Sequence, residues 1–143
     1  MKGLLLMKQK NYSPQQTVDN EVLTIIQQYL RSDKLPCAVA FDIARKHKIS
    51  IKRIGQTTDL AGIKLSKCQL GLFGYEPEKK KIKPLDTIEP DLKQAISDAQ
   101  ENNRIFCKTI WKIAETLKIN KLHVSCACET LGIKIKNCQL GAF

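Results

Sequence analysis

The chain has 143 residues, room for one ordinary domain or two very small ones. Lys and Arg number 24 against 14 Asp and Glu, and the resulting net charge of +10 favours a polyanionic partner. No apolar run is long enough to cross a membrane, and two histidines without a phosphate-cradling glycine loop, a nucleophile motif or paired carboxylates give no basis for an enzyme.

Residues 1–18 read as a frayed, basic tail carrying Lys2, Lys8 and Lys10, because the apolar stretch Gly3 to Met7 is too short for a signal-peptide core. With no export signal, six irregularly spaced cysteines point to a reduced, cytoplasmic protein rather than a disulfide framework. From Asp19 onward the chain repeats itself at a shift of 70 residues without a gap. Cys37 falls on Cys107, Ile43-Ala44 on Ile113-Ala114, Gly62-Ile63-Lys64 on Gly132-Ile133-Lys134, and Cys68-Gln69-Leu70-Gly71 on Cys138-Gln139-Leu140-Gly141. The expected modules are 19–74 and 90–143, joined by a charged linker at 75–89 that contains Pro77 and Pro84. Both modules carry a basic excess, and each is so small that its core is marginal alone, which favours docking of the two copies.

Each module opens on a helix. Val22, Ile25, Ile26, Tyr29 and Leu30 recur at helical spacing behind Asp19 and Asn20, as do Leu92, Ala95, Ile96 and Ala99 behind Pro90. A second helix is expected from near Pro36 and near Arg104, with Ala40, Ile43, Ala44 and His47 matched by Ile110, Ile113, Ala114 and Leu117 on one core face. Phe41 and Trp111 occupy equivalent positions and would anchor the helix packing. A third helix should run from Ser50 to about Leu60 and from Asn120 to about Leu131, ended by Gly62 and Gly132. Ile63-Lys64-Leu65 and Ile133-Lys134-Ile135 then alternate like short strands, and antiparallel pairing of these two strands would make the chain a pseudo-dimer. The expected fold is therefore mainly all-α: two tandem three-helix modules, each followed by a short extended or β segment.

The junction between second and third helices carries the functional signal. Small Ala44 and Ala114 allow a close crossing, apolar Ile49 and Ile119 follow the turn, Ser50 and Asn120 cap the next helix, and Ile54 and Val124 point back to the core. In these positions the sequence resembles the helix-turn-helix signature of transcription regulators. It departs from that signature at the turn, where Lys48 and Lys118 stand in place of glycine; a left-handed non-glycine residue costs on the order of 1 kcal/mol, and a slightly wider turn is expected.

The resemblance implies a sequence-specific regulator that places helix 50–60 in the major groove of double-stranded DNA, as a homodimer or as a pseudo-dimer within one chain; for helix 120–131 it leaves open a second groove contact, a protein contact, or packing on a second chain through Leu122. Facing away from the core would be Ser50, Lys52, Arg53, Gly55 and Gln56, with Arg53 suited to guanine or phosphate, Gln56 to adenine, and Gly55 to close backbone approach. Arg45, Lys46, Lys48 and Lys64 would hold the phosphate backbone, as would Lys118 and Lys134. The second module offers the less cationic set Asn120, Lys121, Leu122, His123, Ser125 and Cys126. Two alternatives remain open: a double helix-turn-helix adaptor for protein, and a regulator sensing metal or redox state through its cysteines. His123 and Cys126 share a helix face while Cys128 points elsewhere, so this segment makes a poor chelate, and no metal or cofactor is expected.

Overall fold

The structure, a computed structural model, describes residues 17–77 and 79–143; the tail residues 1–16 and Glu78 of the linker lie outside the described residues. It is mainly α-helical, with six helices and four three-residue strands among the described residues. The chain forms two compact units whose limits differ from the expected module boundaries. Unit 1 combines the first part of the chain, through Lys67, with Gln139–Phe143, and unit 2 is Cys68–Cys138.

In unit 1, helix α1 (Asn20–Gln27) starts where the Asp19 carboxylate accepts the Val22 amide at 3.2 Å, and it buries Val22 and Ile26. It ends before Tyr29 and Leu30, which the apolar period had placed on the same helix. The chain instead reverses through Ser32 and Asp33, both at positive φ, with Arg31 and Lys34 exchanging backbone hydrogen bonds at 2.7 and 3.0 Å. Short polar side chains tolerate that left-handed geometry, which suits a two-residue reversal. Strand β1 (Lys34–Pro36) follows and leads directly into α2 (Cys37–His47). Lys48, at φ 54 and ψ 46, caps α2 in the left-handed conformation, and the Ile49 amide reaches the Ala44 carbonyl at 3.1 Å. Only Lys48, Ile49 and Ser50 separate α2 from α3 (Ile51–Ala61), so Lys48 adopts the strained conformation and the expected widening of the turn is absent. The Ser50 hydroxyl accepts the Arg53 amide at 3.1 Å, and Gly62 at φ 73 ends α3.

Strand β2 (Lys64–Ser66) pairs with β1 in parallel, in the register Lys34 with Lys64, Leu35 with Leu65 and Pro36 with Ser66. A parallel pair needs a long crossover, and α2 with α3 supplies it. The antiparallel pairing expected between the two repeats is thus replaced by a parallel clamp within each one, which ties the entry to α2 to the exit from α3.

Unit 2 repeats the order. Helix α4 (Pro90–Ala99) has Pro90 in its first turn and buries Leu92 and Ile96. Asn102 and Asn103, both at positive φ, make the reversal into β3 (Arg104–Phe106), so this segment is a strand where a helix start was expected. Helix α5 (Cys107–Leu117) is capped by left-handed Lys118, and α6 (Lys121–Leu131) by Asn120 and Gly132. Strand β4 (Lys134–Lys136) pairs in parallel with β3.

The core of unit 2 contains Leu92, Ile96, Ile105, Ile110, Ile113 and Val124, and also Cys68 and Leu70 from the segment that follows β2. Leu85 and Ile88 pack against it, the Leu85 amide donates to Thr130 Oγ1 at 2.8 Å, and the Lys81 amide donates to the Gly71 carbonyl at 2.7 Å. The stretch after Gly74 is therefore anchored structure rather than a tether: its few apolar residues find the core, a long-range outcome that its local composition does not announce.

Candidate nucleic-acid interface

The residues singled out in the first repeat fall into three groups. Arg45, Lys46, Lys48, Ser50, Lys52, Arg53 and Lys64 are exposed around the α2–α3 turn, on α3 and on β2. The side chains of Lys46, Lys48, Lys52 and Lys64 have no ion-pair or hydrogen-bond partner among the described residues. Arg45 pairs with Asp42 at 2.7 Å on the α2 surface, a contact worth at most about 1 kcal/mol when this exposed. Gln56 is half-buried, which narrows what its amide can reach.

Gly55 does not meet the expectation of an open backbone approach. It is buried, and a Cβ there would lie 2.2 Å from the Leu140 carbonyl oxygen. Its lack of a side chain admits the C-terminal segment of unit 1 onto α3, so the close backbone partner is protein. Ser125 stands at the equivalent place in unit 2 and is wholly buried, and its neighbours Val124, Cys126, Ala127 and Cys128 are buried with it. Ser125 and Cys126 therefore lie in the interior instead of on the expected outer face. The Ser125 hydroxyl is buried without a hydrogen-bond partner among the described residues. Ser125→Ala is expected to raise stability by about 1 kcal/mol, since it removes an unsatisfied polar group from the interior at little change in volume; urea unfolding of the full chain measures it.

Two further residues of the second repeat are engaged locally. The Asn120 side-chain oxygen accepts the Leu122 amide at 2.8 Å, and Lys121 lies over the Trp111 ring at 4.5 Å from its centroid. His47, expected on a core face, is exposed and meets the Tyr29 hydroxyl at 3.1 Å. Ala114 is buried as a close helix crossing requires, whereas Ala44 is half-buried. Among the cysteines, burial raises the Cys68 thiol and pushes Cys128 up to about 12, which leaves both protonated and poorly nucleophilic at neutral pH.

One pair of contacts escaped the sequence reading. Arg53 on α3 forms an ion pair with Asp19, the residue that caps α1, and at the same shift of 70 His123 on α6 meets Glu89, which precedes α4, at 3.0 Å. The Arg53 hydrogen bond and the Val22 amide hold the Asp19 carboxyl below the usual carboxylate range, and the His123 hydrogen bond does the same for Glu89. Each pair joins the third helix of its unit to the start of the first. The signal was present in the sequence, because an acid and a base recur in kind at both positions; their separation along the chain hid it. Arg53 thus has a structural partner as well as an exposed guanidinium.

Comparison with protein-family models, with curated proteins and with solved structures finds no match to this chain.

Proposed function

We propose that the protein is a double-stranded-DNA-binding regulator built from two tandem helix-turn-helix modules, with α3 of unit 1 as its groove-reading helix. One observation carries this reading. A left-handed cap and a three-residue turn set α3 against α2, and around them stand the exposed cations Arg45, Lys46, Lys48, Lys52, Arg53 and Lys64. A helix held in this way, ringed by cations, suits entry into a major groove, with phosphates taken by the flanking lysines. Lys52 and Arg53 reach outward from its first turns. The second unit contributes less, because the centre of α6 is buried from Val124 through Cys128 and its surface cation Lys121 is held over Trp111.

Electrophoretic mobility shift of the full chain on duplex DNA at two salt concentrations tests the proposal. Binding should weaken steeply as salt rises. Lys48→Ala and Lys52→Ala should each lower affinity for all duplexes alike by about 1 kcal/mol and reduce the salt slope by about 1, whereas Lys112→Ala on α5 should change neither. Salt-insensitive binding, or equal effects from all three variants, would remove α3 from the interface.

A further inference from the structure

The parallel clamp of unit 2 has an outer face of which the helix-turn-helix reading uses only Lys134. Side chains alternate along a strand, so Arg104 and Phe106 project to the same side of β3, and their register partners Lys134 and Lys136 project beside them from β4. Ile105 and Ile135, on the opposite side, pack into the core. The outer face therefore gathers three cations around one aromatic ring on strands about 5 Å apart. Phe106 is 54% exposed, the most exposed large apolar side chain among the described residues, and Arg104 and Lys134 are exposed beside it. The side chains of Arg104, Lys134 and Lys136 have no ion-pair partner among the described residues.

The equivalent face of unit 1 has a different character. Its residues are Lys34, Pro36, Lys64 and Ser66, with Pro36 and Ser66 buried and no aromatic ring present. Where the first repeat closes this position with a buried proline, the second leaves a phenylalanine in water among positive charges.

The geometry points to this face as a binding surface for a single-stranded stretch of nucleic acid, one base stacking on Phe106 while Arg104, Lys134 and Lys136 take the adjoining phosphates. An aromatic platform set among cations is the arrangement that unpaired strands require. In a duplex the π-faces of the bases are covered by their neighbours, which leaves the Phe106 ring no role. A second copy of the same face would bring three cations against three. The face uses residues of β3 and β4 alone and none of α3, so Phe106 variants test it apart from duplex binding.

Fluorescence anisotropy of the full chain with labelled oligo-dT, with an abasic strand of equal length and with a mixed-sequence duplex tests the assignment. The protein should prefer oligo-dT to the abasic strand. Phe106→Ala should abolish that preference and weaken oligo-dT binding by about 5-fold or more, while Phe106→Trp keeps it and duplex affinity stays unchanged in both. Removing an exposed ring leaves the core packing in place, and an unaltered circular dichroism melt of Phe106→Ala checks this. An unchanged oligo-dT affinity in Phe106→Ala would overturn the inference, as would equal binding of oligo-dT and the abasic strand by the parent protein. So would displacement of oligo-dT by poly-glutamate at equal charge, which would mark the face as one for acidic protein.

Discussion

Leu70→Ala is expected to destabilise unit 2 by about 2 to 5 kcal/mol, the range for emptying a fully buried leucine site. Leu70 has no exposed surface and belongs to the same apolar cluster as Leu92, Ile96, Ile110 and Val124, although it lies after β2 and before any helix of that unit. Its backbone is fixed nearby: the Gly71 amide donates to the Cys68 carbonyl at 2.9 Å, the Cys68 amide to the Phe73 carbonyl at 3.1 Å, and the Tyr75 hydroxyl to the Cys68 carbonyl at 2.6 Å. These bonds keep the segment from following a shrunken side chain inward, so the cavity should persist and the cost should fall in the upper part of the range. Chemical denaturation with Trp111, the single tryptophan and a residue packed on this core, reports the loss directly. A change below about 1 kcal/mol would show that Cys68–Phe73 is not part of the folded unit.

Gly55→Leu is expected to remove about 3 kcal/mol from unit 1. The added Cβ alone would sit 2.2 Å from the Leu140 carbonyl oxygen and 2.8 Å from its carbon, and neither atom can be moved by a rotamer change. The C-terminal segment must therefore lift off α3 and expose Leu140, which is 5% accessible in the structure. Releasing a buried leucine costs roughly 1.5 to 3 kcal/mol, and overpacking the remainder adds about 1 to 3, against a gain of at most about 1 from replacing glycine within a helix. The loss outweighs the propensity. A double-mutant cycle isolates the cause: Leu140→Ala should destabilise the parent protein but have little further effect in the Gly55→Leu background. Full additivity of the two changes would mean that Gly55 and Leu140 act independently, and the packing account would fail.

Much of the local structure was legible because it depends on neighbours in sequence. Ser50 and Asn120 cap the helices they precede, Gly62 and Gly132 end them in the left-handed region, and Pro90 opens α4, each through chemistry confined to a few residues. The exposed cations on and around α3 were equally readable, since the hydrophobic period that places Ile54 inside places Lys52 and Arg53 outside. Strands of three residues are too short to show a period of two, so β1 was left without an element up to Pro36 and β3 was absorbed into the helix that follows it. Tyr29 and Leu30 continued the apolar period past the true end of α1, because a hydrophobic stripe does not itself mark where Ser32 and Asp33 will reverse the chain.

The sequence by itself determined the repeat at a shift of 70 residues, the helix caps, the turn between α2 and α3 and the basic character of α3, all of them consequences of internal similarity or of local sterics and hydrogen bonding. Only the tertiary structure decided that β1 pairs with β2 in parallel, that Cys68–Phe73 completes unit 2 while Gln139–Phe143 completes unit 1, and that Gly55 and Ser125 lie inside. Those outcomes depend on which distant apolar surface a short segment covers. Leu70 and Leu140 occupy matching places in the repeat, so no property of either residue alone names the surface it will bury. That choice is made by the summed burial and backbone hydrogen bonds of the folded chain.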